Sequence, residues 1–381
     1  AVLGHRDDIA SGVRGLLGHS SPSDCTEPSV QSVNREFTPI TIGTRSLPPL
    51  ATRQSAHQRA ILKVQDGCDA HCTYCIIPSL RGGVWSKPIE SAVAEAMRLT
   101  AAGHREIVLT GIFLGAYGQE TAVRRHQIRG DGLVPLVEAL CTRVPGLRRL
   151  RFSSLEPLDM TDDLIAVMRA HPRVVPHFHL PLQSGSNSIL RKMNRQYRRD
   201  DFLRLVDRVC ESFDRPAITT DVLVGFPEES DGDFEQTLSV VDRARFIHIH
   251  AFPFSPRPGT GAAKLPGRIN GTIVRARIEE LIVRASRNSF EFRKQFIGQT
   301  VELLVERQPS TPSTDNPGEG GPAVSGVAPG EGSVHHGRCE RYFDVHFETD
   351  RVRPGDLVRA RIDRVMPTRS HGTLKSIEER S

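Results

Sequence analysis

Three cysteines, Cys68, Cys72 and Cys75, lie in the run Gly67-Cys68-Asp69-Ala70-His71-Cys72-Thr73-Tyr74-Cys75, directly after the apolar stretch Ile61-Leu62-Lys63-Val64. Three thiolates at that spacing can hold three irons of a 4Fe–4S cluster. Protein-bound clusters usually take four cysteines, so three predict one iron open to an outside ligand. The competing reading is a zinc site with His71 standing in for a fourth ligand. Structural zinc sites pair two ligand couples at finger-like spacing, and no second couple follows here. Histidines raise a second metal question. His177 and His179, and likewise His248 and His250, are two apart on predicted strands, so each pair shares a face. Four imidazoles from neighbouring strands could meet around a metal, or one of each pair could point inward as a hydrogen-bonding residue. The second option is favoured, because no obvious pattern of carboxylates accompanies them. Cys141 and Cys210 fall on apolar helical faces and read as buried thiols, whereas Cys339 reads as more exposed.

The elements that must position these residues follow from periodicity. Short apolar runs at 61–64, 106–110, 149–152, 178–182, 219–224 and 247–252 alternate with amphipathic helical stretches at 89–102, 133–144, 161–170, 200–213 and 234–244. Strands separated by helices of that length predict βαβ units, a parallel sheet and right-handed crossovers. Six such strands predict an α/β fold, an open partial (β/α)6 barrel. Gly, Ser and Pro recur where each strand ends, and barrels of this kind build ligand sites at those ends. The cysteine run caps the first strand. A long amphipathic helix is predicted over 274–295, and alternating strands at 300–306, 342–347 and 357–362 predict a small all-β domain. The Pro-, Gly- and Ser-rich stretch 308–337 between them reads as a disordered insertion.

Length and composition bound the class. The 381 residues allow about two to three domains at ~150 residues each. No run approaches the ~18 apolar residues of a membrane span, so no membrane role is expected. Seven cysteines, three of them clustered, do not read as a disulfide framework, and thiolates that ligate iron must stay reduced, which places the chain in the cytoplasm. A net charge of +5 permits nucleic-acid binding without requiring it.

The cysteine spacing resembles the radical S-adenosylmethionine superfamily, in which the open iron takes the amino acid end of the cofactor. From Leu62 to about Glu348 the chain resembles the methylthiotransferases, radical enzymes that insert sulfur and a methyl group into a C–H bond. The residues that carry this are Gln65-Asp66-Gly67-Cys68, Thr73-Tyr74-Cys75-Ile76-Ile77-Pro78, Arg81-Gly82, Leu182-Gln183-Ser184-Gly185-Ser186 and Met193-Asn194-Arg195. Glu106-Ile107-Val108-Leu109-Thr110-Gly111-Ile112, leading to Gly115-Ala116-Tyr117-Gly118, looks most like the branch that methylthiolates C2 of threonylcarbamoyladenosine beside the tRNA anticodon, at position 37. Branches acting on isopentenyladenosine of tRNA or on an aspartate of ribosomal protein S12 are the alternatives, together with an inactive RNA-binding remnant.

The resemblance implies further assignments. Cys68, Cys72 and Cys75 would hold the cluster, Gly111 and Ser154 the methionyl end of S-adenosylmethionine, Gln183 and Ser184 its ribose, and Val224, Gly225 and Phe226 its adenine through backbone contacts. Residues 59–297 would form the radical barrel with its terminal helix. Residues 298–381 resemble the TRAM domain, an OB-like RNA-binding barrel. Arg341, Arg359 and Arg361 would meet phosphates there, and Tyr342 or Phe343 would stack on bases; the alternative is that alternating arginines only form the solvated face of strands. Residues 1–18 look like the end of an N-terminal domain and 19–58 like a linker. The family's auxiliary 4Fe–4S cluster needs three more cysteines before the radical motif, where this chain has only Cys25, so the expectation is an N-terminally truncated monomer of doubtful activity. Its partners would be tRNA and an electron donor such as flavodoxin or ferredoxin. Two departures from the family pattern stand out: Ser86-Lys87 replaces a frequent Ser-Arg, and Glu228 stands where glycine usually follows Phe226-Pro227. Glu228 gives up easy access to φ > 0, and the adjoining Glu229 is expected to supply the usual carboxylate.

Overall fold

In a computed structural model of the chain, residues 58–123, 132–306 and 333–378 are described. The expected N-terminal remnant, the linker up to residue 57, Cys25 and most of the insertion lie outside them.

Six parallel strands form the larger part: β1 (Arg59–Asp66), β3 (Glu106–Gly111), β4 (Arg149–Phe152), β5 (His177–His179), β6 (Ala217–Val224) and β7 (His248–Pro253). A two-residue strand, β2 (Trp85–Ser86), pairs antiparallel with β1 at the outer edge. The order is β2-β1-β3-β4 in one sheet and β5-β6-β7 in the other. Single parallel bridges, Leu150 with Val174 and Ser154 with His179, join the two sheets. The result is the partial barrel that the alternation of strands and helices predicts.

Alternation along each strand divides the side chains between two sides. Ala60, Leu62, Val64, Ile107, Leu109, Leu150, Phe178, Ile218 and Val222 face the surrounding helices and belong to one core cluster. Those helices are α1 (Ile77–Arg81), α2 (Ile89–Ala101), α3 (Leu133–Arg143), α4 (Asp162–Ala170), α5 (Asn187–Lys192), α6 (Arg199–Ser212), α7 (Asp231–Ala244) and α8 (Gly271–Lys294). The alternate residues, among them Glu106, Arg149, Arg151, His177, His179, Thr219, Asp221 and His250, point into the lumen. Helix starts are fixed locally. Ser186 caps α5 by accepting from the Ser188 and Ile189 amides, and Ser230 with Asp233 forms a capping box on α7.

After α8 the chain forms a closed five-stranded barrel in the order β10-β12-β11-β8-β9. Its strands are β8 (Thr300–Val305), β9 (Val334–Cys339), β10 (Asp344–Glu348), β11 (Leu357–Val365) and β12 (Ser370–Ile377). Val301, Leu303, Val305, Cys339, Val345, Phe347, Val358, Ala360 and Ile362 fill it. Two expectations are corrected here. Residues 334–337 belong to β9 and not to a disordered insertion: Gly337 pairs with Val345 and Val305, and a Cβ on it would lie 2.9 Å from the Leu303 Cβ. Composition misassigned this segment because its glycine is a packing residue. Cys339 is fully buried in this core and not exposed, while Cys210 on α6 is exposed and not buried; Cys141 is buried as expected.

The two barrels meet at the end of the larger one where its strands begin. Glu106 accepts from Arg151 Nε at 2.6 Å and from Arg149 Nη1 at 3.3 Å. Arg149 reaches across to the Glu302 carboxylate at 2.6 Å and to the carbonyls of Glu302 and Arg338. Arg151 reaches the Glu340 carbonyl at 3.1 Å. Tyr342, at φ 71°, inserts its ring against His177 with centroids 4.5 Å apart. The Arg59, Arg151 and Arg338 guanidiniums lie 5.1, 4.9 and 4.6 Å from that ring. The smaller barrel therefore closes the floor of the larger one.

Candidate functional site

The cysteine loop leaves β1 through Gln65, whose amide is fully buried. Gln65 Nε2 donates to the carbonyls of Asp66 and Gly67 at 2.9 and 2.8 Å, and its Oε1 accepts from the Phe113 amide at 2.7 Å. This ties the loop to the end of β3. Gly67 turns with φ 75°, and a Cβ there would meet the Gly83 carbonyl oxygen at 2.0 Å, so only glycine fits. Asp69 accepts from the Thr121 hydroxyl at 2.5 Å and the Ala122 amide at 2.6 Å. On the other flank the Thr73 amide donates to Met193 O at 3.1 Å and the Thr73 hydroxyl to Lys192 O at 2.8 Å. Asn194 Nδ2 donates to His71 O at 3.0 Å. The Lys192-Met193-Asn194 turn thus clamps the cysteine loop.

Burial pushes the Cys68 thiol up to about 12, reinforced by Cys72 and Cys75, while the Ala70 amide at 3.5 Å works the other way. Burial also raises Cys72, against the pull of Arg195. Arg195 Nη1 lies 3.4 Å from Cys72 Sγ and 3.2 Å from the Tyr74 hydroxyl, and its Nη2 pairs with Glu156. The loop therefore holds three thiols with a buried cation and a backbone N–H aimed at sulfur. Both favour thiolates once an electrophilic metal displaces the protons.

The donor set suits a cluster better than a single ion. Three thiols are one short of the four ligands of a structural zinc site, and the one close-set group of three possible ligands among the described residues, His179, Asp221 and His250, lies elsewhere. His71, the proposed stand-in, is exposed at φ 52°. The other described cysteines, Cys141, Cys210 and Cys339, sit on α3, α6 and β9, so this loop offers three thiolates with one iron left open.

The expected cofactor contacts divide. Gly111 ends β3, but a Cβ there would strike the Gln65 side chain at 2.8 Å; its glycine is needed to seat Gln65. Ser154 is exposed and bridges to His179, while the neighbouring Ser153 hydroxyl is buried without a hydrogen-bond partner. Gln183 has φ 59° and a half-buried side chain above β6, so it remains available. Ser184 is corrected: it is fully buried and its hydroxyl accepts from the Ser186 amide at 3.2 Å, which makes it a turn residue. Phe226 packs its ring with Ile189, Met193 and Ala262. Val224 and Gly225 are buried beside it, and the Gly225 amide donates to Glu229 at 2.8 Å.

Sequence reasoning left Arg195 and Glu156 without roles, since their meeting depends on residues 39 apart. It also did not join Asp221 to the histidines. In the smaller barrel Arg359 and Arg361 are exposed on β11, as an RNA-facing surface requires. Arg341 and Tyr342 are corrected. Arg341 is held by the carbonyls of Asp214 and Arg215 at 2.9 and 3.0 Å and by Glu340 at 2.5 Å. Tyr342 is half-buried, and its ring is already engaged by the stacked His177 and the Arg59, Arg151 and Arg338 guanidiniums.

Residues 62–241 match the family model of the Radical SAM superfamily. Over 327 residues the chain is 39% identical to tRNA-2-methylthio-N(6)-dimethylallyladenosine synthase 1 of Mycobacterium marinum, which covers 83% of this chain and 59% of that protein. The synthase of the same name from Mycolicibacterium paratuberculosis is 41% identical over 323 residues, covering 84% and 59%. Among solved structures, the radical S-adenosylmethionine methyltransferase TsrM from Kitasatospora setae superposes with a TM-score of 0.45 at 16% identity, covering 54% of this chain and 38% of that one. The chain spans about three fifths of the length of the curated relatives it matches. The family match takes in most of the larger barrel, including the cysteine loop. The relatives carry the dimethylallyladenosine name, not the threonylcarbamoyladenosine branch that the β3 motif suggested.

Proposed function

We propose, taking the radical SAM barrel as the premise, that this chain carries the radical and RNA-facing parts of a tRNA methylthiotransferase acting at C2 of dimethylallyladenosine. The observation that carries this reading is the match over most of the chain to relatives named for that modification, together with a three-thiol loop at the mouth of a closed-floor lumen. When bound, the cluster and S-adenosylmethionine supply a radical able to take hydrogen from carbon.

The protein's own residues do the rest. Cys68, Cys72 and Cys75 bind the cluster, and Gln65, Asn194 and Thr73 hold their loop in one geometry. Arg195, paired with Glu156, sets positive charge beside Cys72. Gln183 is placed to orient the cofactor at the ends of β5 and β6. The floor formed by Tyr342, Arg149 and Arg151 keeps water from entering behind the substrate, where a carbon radical would otherwise be lost to side reactions. Arg359 and Arg361 offer phosphate contacts on the exposed face of β11.

Deuterium transfer tests the substrate. The reconstituted chain, with S-adenosylmethionine and reductant, is given tRNA deuterated at C2 of either modified adenosine. Deuterium entering 5′-deoxyadenosine from the dimethylallyl substrate supports the reading. Transfer from the threonylcarbamoyl substrate alone would restore the other branch and refute this one.

A further inference from the structure

We propose that His179, Asp221 and His250 form a binding site for a divalent first-row metal ion inside the barrel lumen, separate from the cysteine loop. Among the described residues this is the one group of three whose ligand atoms lie within 4.8 Å of one another. Two imidazoles and one carboxylate suit zinc or ferrous iron and leave coordination positions open.

The placement comes from strand register. Asp221 on β6 is the direct neighbour of His250 on β7, and His179 on β5 is paired with Thr219, one pleat lower on β6. All three side chains therefore project to the same side from adjacent strands, which hold ligands more rigidly than loops do. His179 Nδ1 lies 2.9 Å from the Thr219 hydroxyl, which engages that nitrogen and leaves Nε2 to ligate. Nε2 is 3.2 Å from Asp221 Oδ2. Metal bonds of about 2.0–2.1 Å in a tetrahedron set ligand atoms about 3.3 Å apart, so this pair already has the spacing, and the His250 ligand atom lies within 4.8 Å of both. The His179 and Asp221 side chains are 14% and 25% exposed, which lets an ion reach them. The alternative is that His179 and Asp221 are only a hydrogen-bonded pair beside a third ring. The proposal does not depend on which tRNA base is the substrate.

The test uses the full chain after anaerobic cluster reconstitution, given one equivalent of zinc sulfate, desalted and measured at the zinc absorption edge, away from iron. The expected result is about one zinc per chain with a shell of nitrogen and oxygen at about 2.0–2.1 Å. Asp221→Asn, which is nearly isosteric, and His250→Ala should each weaken zinc retention at least about tenfold. Unchanged iron content in the Asp221→Asn protein excludes unfolding as the cause. A sulfur shell near about 2.3 Å, zinc retention indifferent to both substitutions, or no retained zinc in the parent chain would overturn the proposal.

Discussion

Arg195 is surrounded by Cys72, Tyr74 and Glu156, and with its side chain 6% exposed it has little solvent to fall back on. Arg195→Leu should leave Glu156 unpaired beside the cysteine loop. Breaking a buried pair from one side costs about 3–5 kcal/mol; Glu156 is 20% exposed, so the lower end is expected, read as a fall in the denaturant midpoint with poorer cluster retention. Glu228 shows a departure from the family pattern absorbed as strain. It keeps φ 62°, its amide donates to Gly267 O at 2.8 Å, and the buried Glu229 still binds Arg277 at 2.7 Å. Glu228→Gly should raise stability by about 0.5–1 kcal/mol, because left-handed backbone costs a non-glycine residue about 1–2 kcal/mol and the exposed Lys192 pair contributes little. An unchanged or lower melting temperature would show that the turn is not strained. Cys68 carries a pH signature. Its folded value near 12 exceeds the ordinary 9.0, so its neutral-thiol contribution holds below pH 9 and is lost as pH rises from 9 to 12. The cluster-free chain should lose melting temperature across that window, and the cluster-loaded chain should lose less. The cysteines were legible because ligand spacing is local; the Arg195–Glu156 partnership was not, because it exists only after the third strand end and the α5 turn meet.

At the scale of elements, the six barrel strands were legible to within a few residues because apolar faces buried against helices leave a periodic trace. Strands β9 and β12 were missed: His335, His336, Gly337, Gly372 and Lys375 carry little apolar alternation, and closure of a small barrel supplies their pairing. The joint between the barrels was equally hidden, since charged Arg149 and Arg151 do not read as core. Removing residues 298–381 would expose Glu106, Arg149, Arg151 and His177, so the truncated chain should lose cooperative unfolding and not merely RNA affinity. Acid should act on the same joint. Burial alone would push Glu106 up, but Arg151 and Arg149 bring it down to about 2 from 4.5. Its contribution is therefore complete above pH 4.5 and lost as pH falls toward 2, and Glu106→Gln should flatten the acid limb of the stability profile. An unaltered acid limb in that variant would place the pH sensitivity elsewhere.

At the scale of the whole molecule, the described residues form a partial (β/α)6 barrel and a small five-stranded barrel that meet at one joint, with the cysteine loop at the opposite end from it and basic side chains left outward on β11. Arg359→Ala together with Arg361→Ala should weaken tRNA binding and flatten its dependence on log salt by about 1 per lost phosphate contact, without changing iron content. An unchanged slope would assign those arginines to the solvated face of the strand. The most direct test of the central claim is electron paramagnetic resonance of the reduced, reconstituted chain before and after S-adenosylmethionine, with iron counted in the same sample. The account predicts about four irons held by this loop, a signal that shifts when the cofactor is added, and loss of both in Cys72→Ala. A signal indifferent to S-adenosylmethionine, or a Cys72→Ala chain that keeps its irons and its response, would contradict it.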